Sequence, residues 1–236
     1  TSYSIDAWPH EGAPLARGGR SGGLMPVIRD LVTCMDEVVQ GSRRGSLAYS
    51  VRPQHGDFKT ILDYLYENPE SNNVGWLFDD EMCEHVKSGK SDAMRKLAQI
   101  MSVKMPRGKG YISFISKMNR NLSPVFKHWG MTTKASNLCQ EVNLPADLEH
   151  TFSCVILNMN LELYRKWPSH LVQIAHFMSD CNISEYLETI DEMSDQDKHA
   201  LRKIKKFTAR SRAIGNGVLG WHTLMQHERV ITGSME

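Results

Sequence analysis

The segment SNLCQEV, residues 136–142, places an amide, a thiol and a carboxylate at alternate positions, Asn137, Cys139 and Glu141. In an extended loop, side chains two residues apart point to the same side of the chain, so we expect these three groups to face one ligand. The amide can donate and accept hydrogen bonds, the carboxylate can accept a proton, and the thiol can react. A lone cysteine in a loop is more often an inert thiol, and the segment by itself leaves that alternative open.

The cysteines of the chain do not have the pattern of a disulfide scaffold or a zinc site. There are five of them, widely spaced and without a CxxC pair, which argues against both. Cys154 lies in the strand-like run TFSCVILNMNL (151–161), where packing is the ordinary role of a cysteine. Packing roles are also expected for the other three, Cys34, Cys83 and Cys181.

Two loops rich in glycine and arginine, PLARGG (14–19) and QGSRRGS (40–46), flank a predicted helix. A guanidinium together with backbone N–H groups suits a phosphate, so Arg17 and Arg44 are candidate phosphate ligands, although such arginines are often only solvated. We expect the first loop to be mobile and both arginines to be exposed. Pairing of either loop into a sheet would speak against this role.

Helical and strand-like patterns alternate along the chain, which is typical of an α/β fold. Apolar residues at helical spacing predict a helix from Pro26 to about Val39, and residues 117–135 are predicted to be irregular. Strands are predicted at 46–51, 74–78, 110–115 and 151–161. Further helices are predicted within 56–73, where a polar turn (ENPESNN) follows the helix, and at 80–87, 92–105, 168–187 and 195–212. Another is predicted after a glycine turn within 213–226, and Ser91 and Ser194 are the predicted N-caps.

Composition excludes several classes of protein. Lys and Arg number 28 against 27 Asp and Glu, so no overall field favours nucleic acid or an anionic membrane. No apolar run approaches the roughly 20 residues of a membrane helix, and the first residues do not have the pattern of a signal peptide. We therefore expect a cytoplasmic protein without membrane contact. The basic run at 198–212 is typical of a solvated helix face, with nucleic-acid binding as the alternative.

Three motifs occur in order: the paired loops, SNLCQEV, and RAIGNGVLG at 212–220. Together they resemble the ribonucleotide reductase large (α) subunit over roughly residues 14–226. The resemblance implies an α/β fold that is part of a ten-stranded α/β barrel, with a central finger loop at 136–142. It implies one partial domain, with effector loops and their connecting helix at 11–46 and barrel structure at 46–236.

The resemblance also implies a role for each candidate residue. Cys139 is implied to become the thiyl radical that attacks the ribonucleotide, with Asn137 and Glu141 as substrate contacts. Cys154 is implied to be the second member of the redox thiol pair. The implied ligands of an effector nucleotide, dNTP or ATP, are Arg17, Gln40 and Arg44.

The resemblance implies that no metal or cofactor is bound directly by this chain. The radical would come from a small partner subunit of the diiron/tyrosyl type, with adenosylcobalamin as the alternative. A dimer through helix 26–39 is also implied. The chain is shorter than a whole large subunit, so we expect a split-gene product, a phage-type fragment or an incomplete reading frame, with open sheet edges and no turnover unless the remaining large-subunit segments are added.

Two other functions stay open at this point. The chain could be a non-catalytic nucleotide-binding or regulatory fragment of such an enzyme. It could also be an unrelated helical nucleic-acid-binding module that uses the basic run.

Overall fold

The computed structural model describes residues 2–70, 72–231 and 233, without the side chains at positions 39, 40, 43 and 44. The chain divides into two compact units, Thr1–Pro145 and Ala146–Glu236, which we call unit 1 and unit 2. The single partial domain expected for the whole chain stays a prediction.

Unit 1 is built on a parallel sheet of four strands in the order β1-β4-β5-β6. A two-stranded antiparallel hairpin of β2 and β3 stands apart from it. The strands are β1 Ser2–Ser4, β2 Val39–Gln40, β3 Arg43–Arg44, β4 Ala48–Val51, β5 Asn73–Phe78 and β6 Tyr111–Phe114. The helices are α1 Leu24–Glu37, α2 Phe58–Glu67, α3 Asp80–Lys87, α4 Ser91–Arg107, α5 Ile115–Arg120 and α6 Pro124–His128.

The two faces of this sheet differ in side-chain size because large and small residues alternate along its strands. One face carries Tyr49, Val74 and Trp76, which are buried in the main apolar core. Helices α1, α2, α3 and α4 contribute further side chains to that core. The opposite face carries Ser50 beside Gly75 and Ser113 beside Leu77. This small-residue face leaves space for a segment of chain to approach the sheet.

The sequence pattern was a good guide to the central elements of unit 1 and a poor one elsewhere. The prediction of irregular structure at 117–135 is wrong, because α5 and α6 lie there. Helix α1 ends at Glu37, since the chain turns into β2 at Val39. Ser91 is the first residue of α4 and not its cap. No strand was predicted at β1, a three-residue edge strand too short for a period of two to show.

Unit 2 contains a parallel pair of strands, β7 Ile156–Asn160 and β8 Gly215–Leu219. A 3₁₀ helix follows β7, and three helices complete the unit, α7 Leu171–Glu192, α8 Asp195–Ser211 and α9 Trp221–His227. Ser194 caps α8 as predicted, since its Oγ accepts from the N–H of Asp197. The glycine turn predicted at the start of 213–226 is wrong, because pairing with β7 draws Gly215–Leu219 into a strand.

The four-stranded sheet and the β7–β8 pair both have edge strands with exposed apolar side chains, as Tyr3 of β1 and Phe114 of β6 show in unit 1. In unit 2, none of the five residues of β7 is buried, and Ile156, Val218 and Leu219 are each about half exposed. The expected open sheet and poorly covered strand faces are therefore confirmed for the described residues. Surfaces of this kind are typical of contact with further protein.

Along residues 2–70, 72–231 and 233, no helix has the length and apolar character needed to cross a membrane.

Tyr49→Phe should leave the free energy of unfolding unchanged or raise it by up to about 1 kcal/mol at pH 8. The Tyr49 hydroxyl is buried and has no hydrogen-bond partner among the described residues, and removal of such a group removes its desolvation cost. Burial also raises the pKa of Tyr49. Wild-type stability should thus be complete below the unfolded pKa of about 10 and fall as the pH rises above it.

Urea unfolding at pH 8 and pH 11 measures both effects, with the exposed Tyr3→Phe as the control. The stability difference in favour of Tyr49→Phe should be larger at pH 11. A loss of stability at pH 8 would mean that the hydroxyl contributes an interaction.

Candidate active site

Cys139 lies at the tip of a hydrogen-bonded turn, which we call the Cys139 turn (residues 136–142). The N–H of Gln140 donates to the carbonyl of Asn137 at 3.1 Å, and the N–H of Asn137 donates to the carbonyl of Val142 at 3.3 Å. The Asn137 side chain closes the same turn, since its Oδ1 accepts from the N–H of Val142 at 3.0 Å. Cys139 is exposed and outside any helix, as predicted.

The expectation of an extended loop is wrong. Residues 137–140 turn back on themselves, and Gln140 has a φ of 68°, in the left-handed region that side chains other than glycine rarely adopt. The alternation of an extended chain therefore does not apply across Asn137, Cys139 and Glu141. Cys139 and Glu141 are both exposed, while Asn137 is half-buried. A common direction for the three groups stays a prediction.

The base of the turn is fixed to the rest of unit 1. The Ser2 hydroxyl of β1 donates to the carbonyl of Ser136 at 2.8 Å, and the Ser136 hydroxyl donates to the carbonyl of Val142, also at 2.8 Å. Three residues before the turn, the N–H of Thr133 donates to Asn119 Oδ1 at 2.8 Å. Because its flanking chain is held at several points, the turn has a defined position on the sheet.

The tip of the turn lies over the small-residue face of the sheet. The Ser113 hydroxyl on β6 donates to Gln140 Oε1 at 2.7 Å. A Cβ on Gly75 would stand 3.3 Å from Gln140 Oε1 and 2.9 Å from Ser50 Oγ. The absence of a side chain at Gly75 is therefore what allows Gln140 to approach β5.

Cys154 lies in unit 2, two residues before β7 and exposed. Its predicted place on the strand is wrong by those two residues, because pairing with β8 starts at Ile156. All five cysteines fall among the described residues and none forms a disulfide.

The first glycine–arginine loop is ordered by its own hydrogen bonds. Pro14 and Arg20 form an antiparallel bridge. Next to it, the N–H of Ser21 donates to the carbonyl of Ala13 at 2.8 Å. Its predicted mobility is therefore not what the structure shows. Arg17 is exposed at the tip of this loop, as predicted.

Asp57 holds the two ends of this loop together. Its buried carboxylate accepts from the N–H of Glu11 at 3.0 Å and from the N–H of Leu24 at 2.8 Å. Asp57 stands at the N-cap position of α2, yet it caps the first residue of α1. Gly23 allows this contact, since a Cβ there would stand 2.8 Å from Asp57 Oδ2. Anions commonly bind at the N-terminus of a helix. At α1 this position is already occupied by the Asp57 carboxylate.

The second loop differs from its prediction. Gln40 lies on β2 and Arg44 on β3, which pair as a hairpin through Val39↔Arg44 and Gln40↔Arg43. The expectation that Arg44 lies outside any paired strand is wrong, because a two-residue turn at Gly41, with a φ of 61°, brings the flanking residues into register. The side chains of Gln40 and Arg44, and thus their exposure, lie outside the described part of the structure. The hairpin remains separate from the main sheet.

Comparison with known proteins decides what family this arrangement belongs to. Residues 79–236, more than half of the chain, match the model of the ribonucleotide reductase barrel domain. The chain belongs to the ribonucleotide reductase large-subunit family. The matched residues include both the Cys139 turn and Cys154, so the fold and family implied by the sequence motifs are confirmed.

Individual members of the family extend the similarity beyond residues 79–236. The chain is 32% identical to a putative ribonucleoside-diphosphate reductase large subunit of Frog virus 3 (isolate Goorha), over 92% of this chain and 42% of that protein. It is 33% identical to the large subunit of Invertebrate iridescent virus 3, over 56% of this chain and 20% of that protein. A solved structure, the class Id ribonucleotide reductase alpha subunit of Actinobacillus ureae, matches with a TM-score of 0.88 at 27% identity, over 100% of this chain and 43% of that one. The chain thus spans less than half the length of these relatives.

The sequence motifs did not identify two residues on which this ribonucleotide reductase segment depends. No local pattern marks Gln140 in the sequence, because the residue that it contacts, Ser113, lies 27 positions away. Asp57 contacts backbone groups 33 and 46 positions away. An N-cap pattern at α2 marks Asp57 in the sequence, but gives no sign that it caps another helix.

The described side chains include no group of three or more His, Cys, Asp or Glu residues that could hold a metal ion.

Gly75→Ala should lower the free energy of unfolding by about 1–3 kcal/mol, because the new methyl group would crowd Ser50 Oγ and force Gln140 away from β5. Gly215→Ala is the matched control, since its Cβ would meet Ile156 at an ordinary 3.7 Å. Urea unfolding compares the two. Equal stabilities would contradict the close approach of Gln140 to β5.

Asp57→Ala should lower the free energy of unfolding by about 2–4 kcal/mol, because it leaves two N–H groups, those of Glu11 and Leu24, without their acceptor. Asp63→Ala, which removes an exposed carboxylate of the same helix paired with Lys59, should change stability little. Urea unfolding gives the two differences. Hydrogen exchange should show the loss of protection at Glu11 and Leu24, and a normal exchange pattern there in Asp57→Ala would contradict the clamp.

Proposed function

We propose that this chain supplies the finger loop and the effector loops of a ribonucleotide reductase that converts ribonucleotides to 2′-deoxyribonucleotides. The observation that carries the proposal is the position of Cys139, exposed at the tip of a turn that is fixed to the sheet at its base and at Gln140. The names of the viral relatives favour a ribonucleoside diphosphate as substrate.

The reaction begins with a thiyl radical on Cys139. Its sulfur takes the hydrogen atom from C3′ of the ribose, which re-forms the S–H bond and leaves a carbon radical. The neighbouring C2′–O bond is thereby weakened, and the hydroxyl leaves as water once it has been protonated. That proton comes from one thiol of the redox pair. A hydrogen atom from the other thiol then replaces the lost hydroxyl at C2′, and an electron from the pair together with the proton taken from the 3′-hydroxyl restores the C3′ radical. The hydrogen atom finally returns from Cys139 to C3′, which restores the thiyl radical.

Acid–base and redox groups complete the step. Glu141, next but one to Cys139, accepts the proton of the 3′-hydroxyl as the carbon radical forms. Two electrons come from a pair of thiols that becomes a disulfide, and Cys154 is the proposed member of that pair on this chain. Another cysteine of the enzyme provides the second sulfur.

Asn137 has a structural role beside its proposed contact with the substrate. Its Oδ1 accepts from the N–H of Val142 and lies 3.3 Å from the Ser136 hydroxyl. Substitution of Asn137 would therefore open the Cys139 turn as well as remove a group near the ribose.

The effector nucleotide, a dNTP or ATP, is proposed to bind beside the two loops. Arg17 is exposed at the tip of the first loop and followed by two glycines with positive φ, which leaves the backbone accessible to a phosphate. Gln40 and Arg44 are proposed to contact the nucleotide from the hairpin of β2 and β3. Pairing in that hairpin speaks against this role for Gln40 and Arg44, and the proposal is accordingly supported best at Arg17.

The radical is proposed to come from a small partner subunit of the diiron/tyrosyl type, with adenosylcobalamin as the alternative. A dimer through α1, the counterpart of the predicted helix 26–39, is part of the same proposal, as is a cytoplasmic location.

A regulatory fragment without turnover is the second candidate. The nucleic-acid-binding alternative is disfavoured because the basic helix α8 and its end are paired with acidic groups of unit 2. Lys205 pairs with Asp191, and Lys206 with Glu149. The hydrogen bond from the Arg212 guanidinium lowers the pKa of Asp180, which keeps that ion pair charged.

Cys139→Ser should abolish deoxyribonucleotide formation when the chain is combined with the remaining large-subunit segments and a small subunit of a relative. A serine O–H bond is too strong to exchange a hydrogen atom with C3′. Cys154→Ser should permit radical formation but block normal reduction, since its thiol no longer supplies electrons. Cys181→Ser, which changes an exposed thiol of α7, is the matched control and should retain wild-type activity.

Substantial turnover by Cys139→Ser would contradict the radical role. Effector binding without turnover by the wild-type assembly would favour the regulatory fragment instead.

A further inference from the structure

Gln140 joins the Cys139 turn to the sheet by both ends of its amide. Its Nε2 donates to the carbonyl of Asn137 at 3.0 Å, within the turn. Its Oε1 accepts from the Ser113 hydroxyl of β6 at 2.7 Å. One side chain therefore holds the shape of the turn and its place on the sheet.

The backbone of Gln140 indicates that these contacts constrain it. A left-handed conformation is unfavourable for glutamine, and residues in such conformations persist where the surrounding structure determines them, often at functional sites. Glycine would adopt this φ without strain. Glutamine, unlike glycine, has a side chain long enough to reach Ser113 across the space left by Gly75.

Cys139 has no hydrogen bond of its own in the described structure, so its position depends on its neighbours. The residue directly after it is the one that is clamped to β6. Hydrogen-atom transfer requires the sulfur to lie close to C3′, and a displacement of about 1 Å in a reacting group can lower a rate roughly a hundredfold.

We propose that Gln140 is a positioning residue that fixes the Cys139 thiol by clamping the turn to Ser113 of β6 over Gly75 of β5. The inference rests on the proposed function, because it assigns Gln140 to the placement of the radical-bearing sulfur. The role proposed for Gln140 is exerted through the Cys139 turn and not by contact with the substrate.

Gln140→Asn is the sharpest variant for the test. Asparagine tolerates the left-handed conformation and keeps the amide, but is one methylene too short to bridge to Ser113. Ser113→Ala removes the same hydrogen bond from the other side, and Ser113→Thr keeps the hydroxyl. Gln173→Asn, the same change at an exposed position of α7, is the matched control.

Residue-resolved hydrogen exchange of the full chain measures the clamp without need of turnover. The amides of Asn137, Gln140 and Val142 report closure of the turn. They should exchange about five-fold faster in Gln140→Asn and in Ser113→Ala, as expected from the loss of one ordinary hydrogen bond. The double variant should show no further increase, and Ser113→Thr and Gln173→Asn should match wild type.

Unchanged exchange in both single variants would overturn the inference. Faster exchange spread over all of unit 1 would also overturn it, because Gln140 would then stabilise the unit as a whole and not the turn in particular. In the reassembled enzyme, Gln140→Asn should lower kcat at least ten-fold with KM unchanged, because substrate binding does not involve this side chain. An unchanged kcat would also overturn it. Turnover by Cys139→Ser would refute the proposed function instead, whatever the exchange data show.

Discussion

The close approach of the Cys139 turn to a parallel sheet is the constraint on which the rest of unit 1 depends. A sheet between two layers is ordinarily apolar on both faces, and a polar turn would find neither space nor partners there. Ser50, Gly75 and Ser113 provide both on one face. The other face then has to hold the core, and large side chains such as Tyr49 and Trp76 do so against the helices.

The two glycine–arginine loops belong to the same unit as this sheet. Asp57 follows β4 by a short connection and closes the first glycine–arginine loop through the N–H groups of Glu11 and Leu24. The hairpin of β2 and β3 leads directly into β4, whose Ser50 lies beside Gly75. A nucleotide at these loops and a radical at Cys139 would therefore act on neighbouring parts of one structure.

Local chemistry made some features predictable from the sequence. The α/β alternation, the strand β5 and the cap at Ser194 follow from periodicity and capping within a few residues. The SNLCQEV motif placed Cys139 on a loop. The extended conformation predicted for this segment is wrong, because the left-handed conformation of Gln140 is stabilised by Ser113, 27 residues earlier in the chain. The strand β8 was missed for a similar reason, since its glycines indicate a turn unless β7 is known to pair with them.

The chain's membership of the ribonucleotide reductase family and the position of Cys139 lead to one central claim, that the Cys139 sulfur takes the 3′-hydrogen of a ribonucleotide. The most direct measurement uses an equal mixture of ordinary substrate and substrate deuterated at C3′, supplied to the reassembled enzyme. Breaking a C–H bond with Cys139 predicts that the deuterated substrate is consumed more slowly, and that Cys139→Ser consumes neither. Equal consumption of the two substrates, together with turnover by Cys139→Ser, would contradict the claim.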